Sequence, residues 1–333
     1  MHRKIALKIL LLIFAIAILV LFPTTALLGA SDGIELCIKT LIPSLFPFMV
    51  LSSALLNILR NVRIPMLTHL CKICKMPSGC DSILFTGLLG GYPVGAKLIA
   101  ESFASGNINK KDAARLLGFC NNAGPAFIFG ILGSAFSSFG IAFVVWLIHI
   151  MSAIITGALL PQVSNNQLII SHKGSQASGT IIERCVSVMG IICGWVILFR
   201  IIIAYMEAIL PAGLSNEFYV LASGILELSN GCIQLSKIND PATRFLICNC
   251  LLAFGGGCVA LQTAAIAQNV GLSYYLPGKI IQTFISITLT LITQNLLFIN
   301  RIPSAICICL VSLSIPAAIM SIYILRQQNN SSI

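Results

Sequence analysis

The chain has 333 residues, 57% of them hydrophobic and only 9% charged, with a mean hydropathy of +0.98. Soluble domains carry roughly a quarter charged residues, so this chain lacks the polar surface to cover a globule, and its apolar runs repeatedly reach membrane-spanning length. The net charge of +10 is spread over short loops, with no basic tail and no basic–aromatic interleaving, which argues against nucleic acid and leaves Lys and Arg as markers of cytoplasmic loops.

In chain order the apolar runs are Ile5–Leu28, Ile34–Leu59, Ser82–Phe103, Ala114–Phe136, Ile141–Leu160, Cys185–Leu210, Phe218–Lys237, Thr243–Asn269, Leu276–Ile299 and Pro303–Leu325. The first follows Arg3, Lys4 and Lys8, exceeds the apolar core of a signal peptide, and leads to "LGAS", a poor cleavage sequence. A retained helix with a cytoplasmic N-terminus is expected. The link "GASDG" carries no basic residue, as an outside loop should, whereas Arg60, Arg63, Lys72 and Lys75 mark the next link as inside.

Ser82–Phe103 then poses a problem. If it crossed, Lys110, Lys111 and Arg115 would fall outside; if it enters and returns, they stay inside. It contains "GLLGGYPVGAKL", whose glycines and proline break a helix. Phe218–Lys237, with Glu227, Asn230 and Gly231 at its middle, poses the same question from the other side. Re-entry there places Lys279 and Arg326 inside and leaves Lys237, Arg244 and Arg301 as exceptions.

The two awkward segments resemble one another, and each precedes a charged link with an arginine, Arg115 or Arg244, and then a break, Gly124-Pro125 or Gly255-Gly256-Gly257. Three spans and one hairpin per copy make the second copy upside down. Inverted repeats with interrupted helices at matching positions are the mark of a secondary transporter. The expected architecture is an all-α polytopic membrane protein of about eight transmembrane helices plus two re-entrant helical hairpins in an inverted repeat. Its parts are an N-terminal helix (1–33), a first repeat (34–161, hairpin 82–103), a cytoplasmic loop (162–184), a second repeat (185–299, hairpin 218–238) and a C-terminal helix with a tail (300–333). Both termini are expected in the cytoplasm of a cell-membrane protein.

Ionisable groups inside a membrane usually face a cavity or one another. Lys97 and Glu101 stand one helical turn apart, the spacing of an internal ion pair. Glu227 lies between two leucines with no local basic partner and is the strongest candidate for contact with a substrate or a proton. Asn121 and Asn122 precede the Gly-Pro break; their amides suit recognition of a polar ring, or equally hydrogen-bonding between helices. Arg200 and Glu207 are an intramembrane pair or an interface site, and His149 is read as structural before proton-carrying.

Most of the thirteen cysteines lie in apolar runs as small hydrophobes. "HLCKICKMPSGC" places His69 near Cys71, Cys74 and Cys80, a spacing that could bind zinc, but without a second pair reduced thiols are expected and no metal. No Walker loop or H-E-x-x-H is present, and neither an enzyme nor a cofactor is expected.

"GGYPVGAK", "NKKDAARLLGFCNNAGPAFIFG" and "LELSNG" together resemble sporulation integral membrane proteins of the YlbJ type, over roughly Pro43 to Ile266. Those proteins carry the nucleoside recognition or Gate domain shared with spore maturation proteins and concentrative nucleoside transporters. The resemblance implies a place in the sporulation programme, linked to the spore cortex, and handling of a small polar solute at paired hairpins. It carries over Gly91, Tyr92, Pro93, Gly95, Ala96 and Lys97 as motif residues, followed by Asn121, Asn122, Gly124 and Pro125. The expected solute-binding set is Gly91, Tyr92, Pro93, Gly95, Lys97, Glu101, Asn121, Asn122, Glu227 and Asn230. The expected partners are a nucleoside-like or cortex-related solute, coupled to protons or cations, membrane lipid, and a second copy or other sporulation membrane proteins. The competing expectation is a non-transporting scaffold or gating subunit of a sporulation membrane complex.

Overall fold

The computed structural model describes residues 2–59, 65–162, 180–211 and 213–299. All regular structure in them is helical. Helix α1 (His2–Leu21) stops at Phe22, and Pro23 opens α2 (Pro23–Leu36), which runs through a π turn (Cys37–Leu41) into α3 (Ile42–Leu59). Proline suits that first helical position because its missing N–H has no intrahelical partner there. After α4 (Pro65–Ile73) come α5 (Asp81–Leu89) and α6 (Val94–Ala104), packed on one another across a break. Then follow α7 (Lys110–Leu117), an unwound stretch over 118–124, α8 (Pro125–Phe127), a second π turn (Ile128–Leu132), α9 (Gly133–Phe136) and the long α10 (Phe139–Leu159).

The second half opens with α11 (Ile181–Ile209), started by a capping box in which Thr180 and Glu183 exchange side-chain bonds. A second packed pair, α12 (Asn216–Leu226) and α13 (Leu228–Gln234), breaks at Glu227. Next come α14 (Pro241–Phe254) and α15 (Gly256–Ile266), split at Gly255, and finally α16 (Tyr275–Gln294). The order long helix, broken pair, broken helix, long helix therefore occurs twice.

Among the described residues five helices are long and apolar enough to cross a membrane: Pro23–Leu55, Phe139–Leu159, Ile181–Ile209, Pro241–Ile266 and Tyr275–Phe298. The apolar part of α1, Ile5–Leu21, is shorter, and the expected span Pro303–Leu325 lies outside the described residues. Ala114–Phe136, expected as one span, is instead two short helices around seven unwound residues. Gly118, Gly124 and Pro125 account for this: two residues of low helix propensity and one that cannot donate to the preceding turn.

The chain sets polar residues among the apolar ones it buries, and exposes many large hydrophobic side chains. Every residue that α16 buries is polar, glycine or tyrosine (Tyr275, Gly278, Lys279, Gln282, Ser286, Thr290, Thr293), while Ile280, Phe284, Leu291 and Ile292 face out. On α10, His149, Ser152 and Thr156 are buried while Phe139 and Leu159 are exposed. This pattern has no solvation logic in water and fits a hydrocarbon surround, where helices meet through small residues and hydrogen bonds.

The link "GASDG" is not a loop. Gly29 and Gly33 lie inside α2, where a Cβ would stand 2.9 Å from the Cα of Ile201 and of Ile197 respectively, so the two glycines are the seam between α2 and α11. "GASDG" also has the G-x-S-x-G spacing of a nucleophile elbow, but a mid-helix position cannot provide the strand-to-helix turn such a serine needs. Arg200 crosses this seam, pairing with Asp32 at 2.9 Å and Glu207 at 3.0 Å, so the Arg200–Glu207 alternative resolves to a pair with a third member.

Three cations counted as loop markers serve other ends. Arg115 is 1% exposed and donates to the carbonyls of Cys74, Gly157, Leu160 and Pro161, closing the C-terminus of α10. Arg244 donates to the Ile238 and Ala135 carbonyls. Lys279 is buried in α16. The topological weight in this part of the chain therefore falls on exposed Lys72, Lys110 and Lys111.

Gly278 of α16 rests on the backbone of Gly118, leaving no room for a Cβ. Gly278→Ala should therefore destabilise the protein by about 1–3 kcal/mol through overpacking against backbone that cannot yield. Gly190→Ala on α11, where a Cβ meets nothing within 4 Å, should be neutral or stabilise by about 0.5–1 kcal/mol. Denaturant unfolding of the two variants in the same detergent compares them directly.

Candidate functional site

The first broken pair turns at Gly90–Pro93. Gly91 takes a φ of +78°, which favours glycine, and the Tyr92–Pro93 peptide is cis. Gly87, Gly91 and Gly95 recur every four residues, and all three back onto the unwound stretch. A Cβ at Gly87 would stand 2.6 Å from the Cα of Cys120, one at Gly91 3.3 Å from the nitrogen of Gly124, and one at Gly95 would strike the Cys120 carbonyl. The glycines of "GLLGGYPVG" thus let two segments of backbone touch.

That contact leaves the polar groups of the unwound stretch to be satisfied by side chains, as buried backbone requires. The Ala123 N–H donates to His149 Nε2 at 3.0 Å, and the Asn121 carbonyl accepts from Lys279 Nζ at 2.7 Å. Asn121 Oδ1 accepts from the Ala96 N–H at 3.3 Å, and its amide donates to Thr263 Oγ1 at 2.9 Å. The Asn122 amide donates to the Gly87 and Phe119 carbonyls, and its Oδ1 accepts from both Lys279 and Gln282. Asn121 and Asn122 thereby fasten α5, α6, α15 and α16 to one point. His149, bonded through Nε2, has no partner at Nδ1 among the described residues.

Tyr92 carries the first turn across to the second half. Its hydroxyl donates to the Leu252 carbonyl at 3.0 Å, beside Gly255, and the Lys279 ammonium lies 5.5 Å from its ring centre. The second broken pair turns at Glu227, which is extended and 2% exposed. Its carboxylate accepts from the N–H groups of Ser229 and Asn230 at 3.0 and 2.8 Å and from the Asn230 amide at 2.8 Å, capping the start of α13. Gly256, with φ +80°, packs this turn against the α14–α15 break, close to the Gly224 carbonyl and the Leu228 nitrogen.

Of the expected solute-binding residues, Gly91, Tyr92, Pro93, Gly95, Asn121 and Asn122 come together at the unwound stretch, and Glu227 and Asn230 form a second cluster at the other turn. Lys97 and Glu101 belong to neither. They line an open cleft of about 90 Å³ with Ser82, Thr86, Met49 and Arg184, and among the described residues they do not form the expected ion pair. Arg184, beside them, brings a third charge to the cleft. His69 is exposed, while Cys71, Cys74 and Cys80 pack in an apolar cluster with Ile83 and Leu84.

Lys279, Gln282 and Thr263 are the residues that sequence reasoning missed. For the two on α16 the signal was a polar stripe: Lys279, Gln282, Ser286, Thr290 and Thr293 recur at helical spacing within an apolar run. Tyr92→Phe removes the side-chain bond from the first turn to α14 and should cost about 0.5–1.5 kcal/mol. Hydrogen exchange at the end of α14 should quicken in this variant while exchange in α2 and α11 stays unchanged.

Over 126 residues, 37% of this chain, the sequence is 31% identical to the sporulation integral membrane protein YlbJ of Bacillus subtilis (strain 168). That stretch covers 31% of the relative, so the chain spans about a third of the length of the curated protein it matches. No family model and no solved structure matches. The similarity to YlbJ-type sporulation integral membrane proteins read from the sequence is thus present over those 126 residues, and the apolar helices agree with an integral membrane protein.

Proposed function

We propose that this chain is a sporulation-associated integral membrane protein with a transporter-like Gate fold that moves or recognises a small polar solute, nucleoside-like or related to the spore cortex. One observation carries the proposal: two broken helical pairs each turn at a polar residue against the break of a split helix, and the Tyr92–Leu252 bond joins the two places. The repeated element order supports two copies of one unit, the second inverted, since each copy would contribute three crossings and one re-entrant pair.

The charges support it as well. Glu227 is buried without a cation, and Lys279 is buried without a carboxylate, among the described residues. Burying an ion without a counter-ion costs several kcal/mol, roughly the scale on which a purely structural role would have favoured an apolar residue. A carboxylate and an amide at one turn, Glu227 and Asn230, offer acceptors and a donor to a polar ring or hydroxyl. In this reading both termini face the cytoplasm, protons or cations accompany the solute, and no catalytic step is involved.

A scaffold or gating subunit is the second reading. It is favoured by the amides of Asn121 and Asn122, whose side-chain nitrogens and oxygens are all bonded to protein.

The full chain in detergent should melt at a higher temperature with one class among nucleosides, nucleobases and cortex precursors. Glu227→Gln should abolish that shift and, because an amide nitrogen cannot accept from the N–H groups that the carboxylate holds, should also melt below wild type without solute. No shift with any class, together with normal sporulation in a Glu227→Gln strain, supports the scaffold. Re-entry has its own measurement: cysteines at Ser78 and Lys111, both exposed, should react from the same side of the membrane in a background without reactive native thiols. Labelling from opposite sides would mean that the first pair crosses.

A further inference from the structure

Lys279 is the one lysine among the described residues that is fully buried. Its Nζ donates to the Asn121 carbonyl at 2.7 Å, to Gln282 Oε1 at 3.0 Å and to Asn122 Oδ1 at 3.2 Å. The face of Tyr92 lies on a further side, at 5.5 Å. Three acceptors meet the three N–H bonds of one ammonium, and all three are neutral oxygens. One is a carbonyl freed by the unwinding of 118–124, and two are side-chain amides.

Neutral oxygens converging on one point at an unwound segment are the donor set that membrane proteins use to hold small cations. An ion pair would show a carboxylate instead; among the described residues no acidic group stands within 4 Å of Nζ. The lysine is also anchored at its root, because Gly278 packs on the Gly118 backbone one residue before it. The cation is therefore fixed to the segment whose oxygens it holds.

We propose that the unwound segment and α16 form a monovalent-cation site, and that the chain fills it with its own tethered ammonium. The inference stands independently of solute movement. For the proposed function it means that this site takes no sodium or potassium from solution, since the lysine occupies it.

The test uses the purified full chain and salts that differ only in the cation. Lys279→Ala should melt below wild type in choline chloride, whose cation is too large for the cage. It should regain at least half of the lost melting temperature in about 0.2 M ammonium or methylammonium chloride, a concentration that saturates a millimolar site. Lys279→Met, which fills the space without charge, should show no such recovery, and wild type should melt alike in all three salts. Equal responses of Lys279→Ala to choline and ammonium, or a melting temperature equal to wild type in choline, overturn the proposal. If Lys279→Ala does not survive extraction in choline, a monodisperse peak recovered in methylammonium supports the site, and loss in both salts overturns it.

Discussion

The structure depends on one stretch of backbone that is not helical in an apolar surround. Residues 118–124 leave the regular helix after Leu117 and resume it at Pro125, and all seven are buried. An unsatisfied peptide group there costs several kcal/mol, so other elements must come to it. His149 of α10 accepts from Ala123, Lys279 of α16 donates to Asn121, and the first broken pair lies against it through Gly87, Gly91 and Gly95. The stretch gathers four helices because each supplies something that it lacks.

The second break is satisfied by a different device. The α14–α15 split occupies two positive-φ glycines, Gly255 and Gly256, and needs little more than the Tyr92 hydroxyl at the Leu252 carbonyl. The neighbouring turn at Glu227 caps itself with its own carboxylate. The two halves thus share an order of elements but not a chemistry. The first is held by amides and an imported lysine, and the second by glycine conformations and a local acid. That asymmetry puts Lys279 and His149 at the first break and Glu227 at the turn beside the second.

Much of this was legible in the residues. The breaks at Gly90–Pro93, Gly124-Pro125, Glu227 and Gly255 follow from glycine, proline and a lone acid in apolar runs, and each falls where local propensity places it. The site was legible in part: the Gly91–Gly95 motif and the Asn121–Asn122 pair do meet. Lys279, Arg115 and Arg244 were misassigned because the charge rule treats every cation as a solvated loop residue. A cation that finds enough carbonyls can stay inside, and finding them depends on which chain ends pack beside it. "GASDG" failed as a loop for a related reason. Its glycines read locally as a turn, but α11 presses against them at Ile197 and Ile201, and a helix with two bare positions is what fits there.

By itself the sequence determined the class of the molecule and the places where its helices end. Those properties follow from hydrophobicity and from backbone conformations that each residue carries with it. Only the tertiary structure decided what fills each break: that Gly278 and Lys279 of α16 close the unwound stretch, that Tyr92 reaches α14, and that Lys97 and Glu101 stand apart in a cleft with Arg184. These are pairings between residues up to 160 positions apart, as Tyr92 and Leu252 are. No local preference encodes them; they arise because buried polar groups accept whichever partner the packing brings within hydrogen-bonding distance.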